Sequence, residues 1–563
     1  MTIRWNLSVL VLACLLSSVA AARDMGTTST TLYGKHLEWR LKNPSYDGNP
    51  FDLDARVIFT HKDTKQKLTT GMFYDDHHSW RWRFTGTQPG RWTFRTVSAD
   101  PQLHGRTGTV NVVDDPTAHG FIVGRGTRWA RQVGTSDYKA ILPNHVMYHS
   151  HPDVYHNKPW VLSSDLKTFV DDHGFTGLHV PDVAGHWFDL DSDGTVTSDM
   201  VNPDPRTFQA LEQLITAANG YGASVHFWTW GDSSRGTTSN QLQGGQNGAV
   251  DQRLQRYIAA RLGPLQGWTM GYGFDLDEWT TNDQMQEWRD RINGHSGWDH
   301  LLSGRSLGPN SGTDHSSDVG WHVGLDYAGY EHHRPTYAVY LAALRARIDG
   351  EPVGKPVMSE DRFRVRNRAK DYTPEETRRG LWQATMAGGV ANIWGNLRRE
   401  DGTIIDHDVK SLTYPNREQI KTWSTFFVEN DRFTLDMEVD NRITGGMEKM
   451  QVALHGDESG MTVVYAEDTD TIELNLAHLR DTHQWFGTVG LTLVDTTEAY
   501  REIDLGESEL IDMELDLTPH GGVSDWAVLI TGQAAPEPAS AVLLLLGGSA
   551  LALRRSRARR GAA

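Results

Sequence analysis

The chain has 563 residues and carries 72 acidic against 54 basic side chains, a formal net charge of −18. That excess argues against a nucleic-acid partner, which needs a basic face, and the length allows about three or four domains. The one cysteine, Cys14, lies at the amino-terminal end, so the body of the chain has neither a disulfide framework nor thiol chemistry.

In chain order, Arg4 precedes an apolar run from Leu7 to Leu16 and then the small residues Ser17 to Ala22. One positive charge, a short apolar core and small residues before a polar stretch predict a secretory signal at residues 1–22, cleaved to leave Arg23 as the first residue.

Residues 31–115 read as β. Leu37–Leu41, Ala55–Thr60, Trp80–Thr85, Arg91–Val97 and Thr107–Val113 have strand character, and turn signals such as Asp47-Gly48-Asn49-Pro50 and Gln88-Pro89-Gly90 separate them. The spacing predicts an N-terminal β-sandwich. Asn49-Pro50-Phe51, Gly71-Met72-Phe73-Tyr74-Asp75, Trp80-Arg81-Trp82-Arg83-Phe84 and Pro89-Gly90-Arg91-Trp92 resemble the DUF5060 domain. In the proteins that carry it, this domain commonly precedes a glycoside hydrolase barrel.

From residue 118 to 428, strand and helix patterns alternate. Strands are expected at Lys139–Met147, Thr176–Pro181, Ala223–Trp230, Trp268–Leu276, Leu301–Leu307, Val323–Tyr330, Lys355–Ser359 and Val390–Trp394. Helices are expected at Pro205–Ala218, Asp251–Leu262, Asn282–Ile292, Thr336–Ile348 and Pro374–Met386. Eight strand units over this length predict a (β/α)8 TIM barrel. An open doubly wound sheet is disfavoured because no glycine-rich phosphate loop opens the first helix.

Two of these strands end in carboxylates, Phe274-Asp275-Leu276-Asp277-Glu278-Trp279 and Ser359-Glu360-Asp361-Arg362. They are the fourth and seventh, whose carboxyl ends face each other across a barrel cleft. The region resembles a clan-A glycoside hydrolase. The resemblance implies Glu278 as general acid/base and Glu360 as nucleophile, with retention of configuration and carboxyls about 5–5.5 Å apart. The chain departs from that pattern by carrying Asp277 where the clan has asparagine. His179, Asp182 and His186 lie where it has an arginine. Asp275 or Asp277 are alternatives for the acid role.

Asp277, His186, Trp187, Trp230, Trp279, Tyr327, Tyr330, Arg362 and Trp394 are expected at strand ends as substrate-binding residues, with Trp228, Glu331 and His332 beside them. Indole faces suit the C–H faces of sugars, although any single tryptophan is more often core. Arg362, Arg364, Arg366 and Arg368 could recognise an anionic polysaccharide or form a solvated loop. Asp189, Asp191 and Asp193, followed by Gly194, repeat the spacing of a calcium loop, with Met200 where that loop has glutamate. No cofactor is required beyond this possible structural calcium. No His-Glu-x-x-His spacing occurs, which disfavours a zinc hydrolase of that kind.

Residues 440–532 return to short β runs at Gln451–Leu454, Met461–Ala466, Thr471–Leu476, Gly490–Asp495 and Trp526–Thr531, a C-terminal β-sandwich. The tail, residues 536–563, reads Pro536-Glu537-Pro538, an apolar run from Ala539 to Leu553, and five arginines between Arg554 and Arg560. The run is short for a membrane span, and its arginines would stay cytoplasmic. It resembles the PEP-CTERM sorting signal, which implies an exosortase partner, transient membrane contact and delivery to the surface or matrix of a Gram-negative-type bacterium. Losing both ends takes the net charge to about −24.

Three functions remain open at this level. One is a secreted glycoside hydrolase cleaving a poly- or oligosaccharide. The second is a non-catalytic carbohydrate-binding protein on a decayed barrel, and the third a polysaccharide lyase using Tyr330 and a histidine.

Overall fold

The computed structural model describes residues 23–148, 152–181, 183–306, 324–330, 336–348, 350–363, 373–395 and 416–534. The expected signal segment, the sorting tail, Asp182, Glu331, His332, Arg364, Arg366 and Arg368 lie outside them, as does the side chain of Arg362. Among the described residues no helix is long and apolar enough to cross a membrane.

The amino-terminal part pairs a five-stranded sheet with a three-stranded one. Alternation in Ala55–His61 and Gly90–Ser98 turns Val57, Phe59, Trp92 and Phe94 inward. They meet Trp80, Trp82 and Phe84 of the second sheet, as expected of a sandwich. The segment expected as one strand, Lys139–Met147, divides. Asp137–Ala140 joins His119–Arg125 and Arg128–Val133 in a small antiparallel sheet, and only Asn144–Met147 enters the barrel.

The barrel strands are β1 (Asn144–Met147), β2 (Gly177–Val180), β3 (Ser224–Trp228), β4 (Trp268–Gly271), β5 (Leu302–Ser303 continuing as Arg305–Ser306), β6 (Ala328–Tyr330), β7 (Val357–Phe363) and β8 (Ala391–Trp394). Every neighbouring pair is parallel, and β8 pairs back with β1. The ring passes through β5 by a change of partner. Leu302–Ser303 bonds to β4, and Arg305–Ser306 bonds to β6. The small sheet plugs the amino-terminal mouth. Its Trp129 donates from Nε1 to the Val357 carbonyl (2.9 Å) and packs on Tyr327.

The outer helices have readable starts. Asp204 caps α1 (Pro205–Gly220) by accepting from the Arg206 amide, with proline at the first helical position. Capping boxes open α3 (Asn282–His295) at Thr281/Gln284 and α4 (Pro374–Met386) at Thr373/Glu376. Phe208, Leu211, Leu214 and Ile215 of α1 are fully buried against the barrel, as is the inner face of α2 (Ala249–Leu262) with Leu254 and Ile258. The carboxyl-terminal part is a six-stranded antiparallel sheet covered on one face by the pair Thr471–Leu474/Met513–Asp516 and the helix Leu476–Asp481. It is tied to α4 through the buried Asp525, which accepts from Arg378 and from Arg379 Nε (2.7 Å).

Candidate active site

Parallel barrel strands alternate between the lumen and the helix layer. In the lumen lie His145 of β1, His179 of β2, His226 and Trp228 of β3, Tyr327 at the start of β6 and Glu360 of β7, all fully buried or nearly so. His179 and His226 are register partners, and their Nδ1 atoms stand 2.8 Å apart. His226 Nε2 lies 2.9 Å from the Tyr327 hydroxyl, and His145 Nε2 lies 3.0 Å from Ser224 Oγ. Burial pushes the pKa of His226 well below its ordinary value and that of His145 down to about 3. The imidazoles of His226 and His145 are therefore neutral.

Glu360 sits toward the carboxyl end of β7, where the register with β8 slips between Ser359 and Arg362. Such bulges re-aim a side chain beside a site. Trp228 donates from Nε1 to Glu360 Oε2 (3.1 Å). Burial, then the negative charge of Glu360, holds the Tyr327 phenol well above its usual pKa, so Tyr327 stays protonated beside the carboxylate. Gly271 of β4 leaves room for this arrangement: a Cβ there would come within 2.6 Å of Trp228 Cδ1 and 3.3 Å of His226 Nε2.

Glu278 ends a short turn, Leu276–Glu278, just beyond β4. It is exposed. Partial desolvation, then the like charges of Asp275, Asp232 and Asp277, raises its pKa above the ordinary glutamate value. Asp275, which leads into the turn, has φ of 49°, the left-handed conformation that aspartate tolerates better than most residues. Asp232 follows β3, is buried, and caps the turn Ser233–Arg235 by accepting from the Ser234 amide (2.7 Å). Sequence reasoning misses it, because the expected strand Ala223–Trp230 ends two residues before it.

The other expected contact residues divide. Trp187 is fully buried against Phe208 and Phe227, with Nε1 donating to the Thr229 carbonyl. Trp394 packs edge-on to Phe175, and Trp230 has no exposed surface. Trp279 stacks on Tyr272 (5.3 Å) and keeps 8 % of its surface exposed. These four rings are structural packing rather than open platforms. His186 is buried in the same turn as Trp187, and Tyr330 is buried at the end of β6. Asp277 is exposed beside Glu278.

The aspartate loop has a cation from the chain itself. Arg206 bonds Asp191 Oδ2 (3.0 Å), Asp204 Oδ2 (2.7 Å) and, more loosely, Asp189 Oδ1 (3.5 Å), while Asp193 Oδ1 accepts from the Thr195 amide (2.9 Å). Arg206 thus brings a positive charge to the loop whose spacing suggested calcium.

Comparison with known proteins matches part of this architecture. Residues 33–99 match the model of DUF5060, a domain of unknown function. No curated protein matches the chain. Its fold is similar to that of a proposed glycoside hydrolase from Bacteroides vulgatus, at 17 % identity and a TM-score of 0.65, over 90 % of this chain and all of that one. A glycoside hydrolase of family 5 from the same organism is similar at 14 % identity and a TM-score of 0.52, over 73 % of this chain and 93 % of that one. A further structure described as a glycoside hydrolase aligns at 11 % identity and a TM-score of 0.51. The chain therefore has the multidomain TIM-barrel fold of glycoside hydrolases, with a DUF5060 domain before the barrel and antiparallel sheets at both ends.

Proposed function

We propose that this protein is an exported glycoside hydrolase that cleaves O-glycosidic bonds of a poly- or oligosaccharide with retention of configuration. Glu360 would be the nucleophile and Glu278 the general acid/base. The observation that carries this reading is the contrast between two carboxylates beyond the same barrel mouth. Glu360 is buried, aimed by the Trp228 indole and set beside the Tyr327 phenol. Glu278 is exposed, with its pKa raised by its surroundings. One environment suits a fixed anionic nucleophile, the other an acid that must hold and release a proton. The reaction requires no cofactor.

The neutral His226 has a single N–H to give, and we place it on Nε2. His226 Nε2–H then donates to the Tyr327 oxygen, which leaves His226 Nδ1 to accept from His179 Nδ1–H. Tyr327, whose phenol stays protonated within reach of the Glu360 charge, would act as a positioning residue beside the nucleophile.

Export by the amino-terminal signal, with an exosortase acting on the tail, would bring the enzyme to a polymer that cannot enter the cell. The test is hydrolysis of a panel of aryl glycosides and polysaccharides by wild type, Glu278→Gln and Glu360→Gln, with the first-formed anomer read by proton NMR. Equal activity in all three proteins would reject the assignment, and binding without turnover across the panel would favour a carbohydrate-binding protein.

Two further outcomes are expected. Tyr327→Phe, which removes the hydroxyl that meets His226 Nε2, should lower kcat by about 2- to 10-fold, the worth of one neutral hydrogen bond, with KM little changed. Gly271→Ala should displace the Trp228 indole and cost kcat by a similar factor, visible as an altered near-ultraviolet dichroism of a folded protein. A Gly271→Ala enzyme with wild-type kcat would show that the Trp228–Glu360 bond does not matter to turnover.

A further inference from the structure

The carboxyl-terminal part gathers three histidines and two aspartates. Asp440 follows the short strand Glu438–Val439, at which the chain enters this part. His478 lies in the helix Leu476–Asp481, and His483 lies two residues beyond it. Asp440 Oδ2 is 2.9 Å from His478 Nε2 and 3.0 Å from His483 Nε2. The three ligand atoms lie together within 4.8 Å.

The far side of each ring is held. Thr482 Oγ1 lies 3.1 Å from His478 Nδ1, and Asp457 Oδ1 lies 3.3 Å from His483 Nδ1. Asp457 is itself fixed by His455 Nε2 (2.8 Å), whose Nδ1 meets Thr462 Oγ1 (2.7 Å). His483 therefore has a carboxylate at both nitrogens. A neutral imidazole can donate to only one of them, so the lone pair of the other nitrogen faces a negative oxygen unless that nitrogen is protonated or a cation lies between.

We propose that Asp440 Oδ2, His478 Nε2 and His483 Nε2 form a divalent-metal site of zinc type, with Thr482 and Asp457 as its outer hydrogen-bond partners. Two imidazoles and one carboxylate, with a fourth position left to water, are a common zinc set. Carboxylate and hydroxyl support on the outer nitrogens is what metal-bound histidine requires. With bonds of about 2.0–2.1 Å the ligand atoms of a tetrahedral site stand about 3.3 Å apart, so the observed 2.9 and 3.0 Å need to open by a few tenths of an ångström. The side chains of His478 and His483 are 17 % and 15 % exposed, which leaves a path for entry. Arg442 also bonds Asp440, through Nε to Oδ1 (2.7 Å) and a terminal nitrogen to Oδ2 (2.8 Å). Its side chain is 70 % exposed and free to leave Oδ2 as the metal arrives. The ion would staple the entry segment to the helix that covers the sheet.

The experiment uses the untagged mature chain, dialysed against Zn²⁺ and then against buffer, with bound zinc counted by mass spectrometry and Co²⁺ replacement followed by its visible d–d bands. One ion per chain is expected, with a tetrahedral Co²⁺ spectrum, and none in Asp440→Asn or in His478→Gln with His483→Gln. Circular dichroism checks that these variants are folded. Asp457→Asn should keep the stoichiometry and weaken Kd by about 10- to 100-fold, the usual effect of removing an outer partner. Failure of wild type to retain zinc, or equal zinc in wild type and the ligand variants, would overturn the proposal and leave an ion-pair cluster.

Discussion

Replacing Glu360 by glutamine is expected to lower kcat by roughly 10⁴-fold or more, as loss of a covalent nucleophile does, in a protein that unfolds at the same temperature. Glutamine has the same shape, and its amide oxygen can still accept from Trp228 Nε1. What disappears is the charge and the nucleophilic oxygen. Glu278→Gln should behave differently. It should cost about 10²- to 10⁴-fold on substrates with poor leaving groups, the usual worth of a positioned acid, and far less on aryl glycosides whose leaving group needs no proton. Because desolvation and the charges of Asp275, Asp232 and Asp277 raise the Glu278 pKa, the falling limb of the pH–kcat profile should lie above the ordinary glutamate value of about 4.3 and should vanish in Glu278→Gln. Small-anion rescue separates the roles by counting displacements. Azide replacing water in Glu278→Ala attacks a glycosyl-enzyme and gives the retained glycosyl azide, whereas azide in Glu360→Ala attacks the substrate directly and gives the inverted one. Azide products of the opposite configurations would exchange the two assignments.

The site was legible in the sequence where it depended on strand ends. Glu278 and Glu360 follow apolar runs bounded by turns, and counting those runs assigns them to the fourth and seventh strands; Glu278 lies in the turn beyond β4 and Glu360 on β7. The tryptophans were not legible. Strands of a parallel barrel are buried on both faces, so their composition does not say which ring meets the lumen, the helix layer or a ligand. Trp228 faces Glu360, while Trp394, at the equivalent end of β8, and Trp187, in the turn beyond β2, fill the packing outside. His145 and His226 were hidden for the same reason, as polar residues inside apolar runs whose partners come from other strands, Ser224 of β3 for His145 and Tyr327 at β6 for His226. Nor does the spacing of the aspartate loop show that Arg206, arriving from α1 beyond it, bonds Asp191 and Asp189. Likewise the spacing of Asp440, His478 and His483 forms no motif; only the return of the chain to the entry segment brings them together.

The largest stability effect is expected where the amino-terminal sandwich docks on α1 and α2. Phe73 lies between two guanidiniums, with Arg83 at 4.9 Å and Arg261 at 5.0 Å from its ring centre. Arg83 reaches Glu212 of α1 (2.8 Å) and Glu38 (2.9 Å), and Arg261 of α2 bonds Glu212 and Asp75 (3.1 Å). Burial alone would raise the Glu212 pKa, but the Arg261 and Arg83 guanidiniums overcome it and hold it down at about 2. Truncating Arg261 to alanine leaves Glu212 and Asp75 in a closed interface with one cation fewer, at a cost of about 3–5 kcal/mol. Arg261→Met combined with Glu212→Gln should recover much of that loss, because a neutral pair of similar volume carries no stranded charge. The acid dependence follows from the depressed pKa. Unfolded Glu212 binds its proton near pH 4.3 and folded Glu212 only near 2, so the stabilisation is complete above about pH 5 and is lost as pH falls through that window. Calorimetric unfolding between pH 3 and 7 should therefore show a steeper acid decline in wild type than in Arg261→Met/Glu212→Gln. Parallel curves for the two proteins would mean that the cluster positions the sandwich without stabilising it.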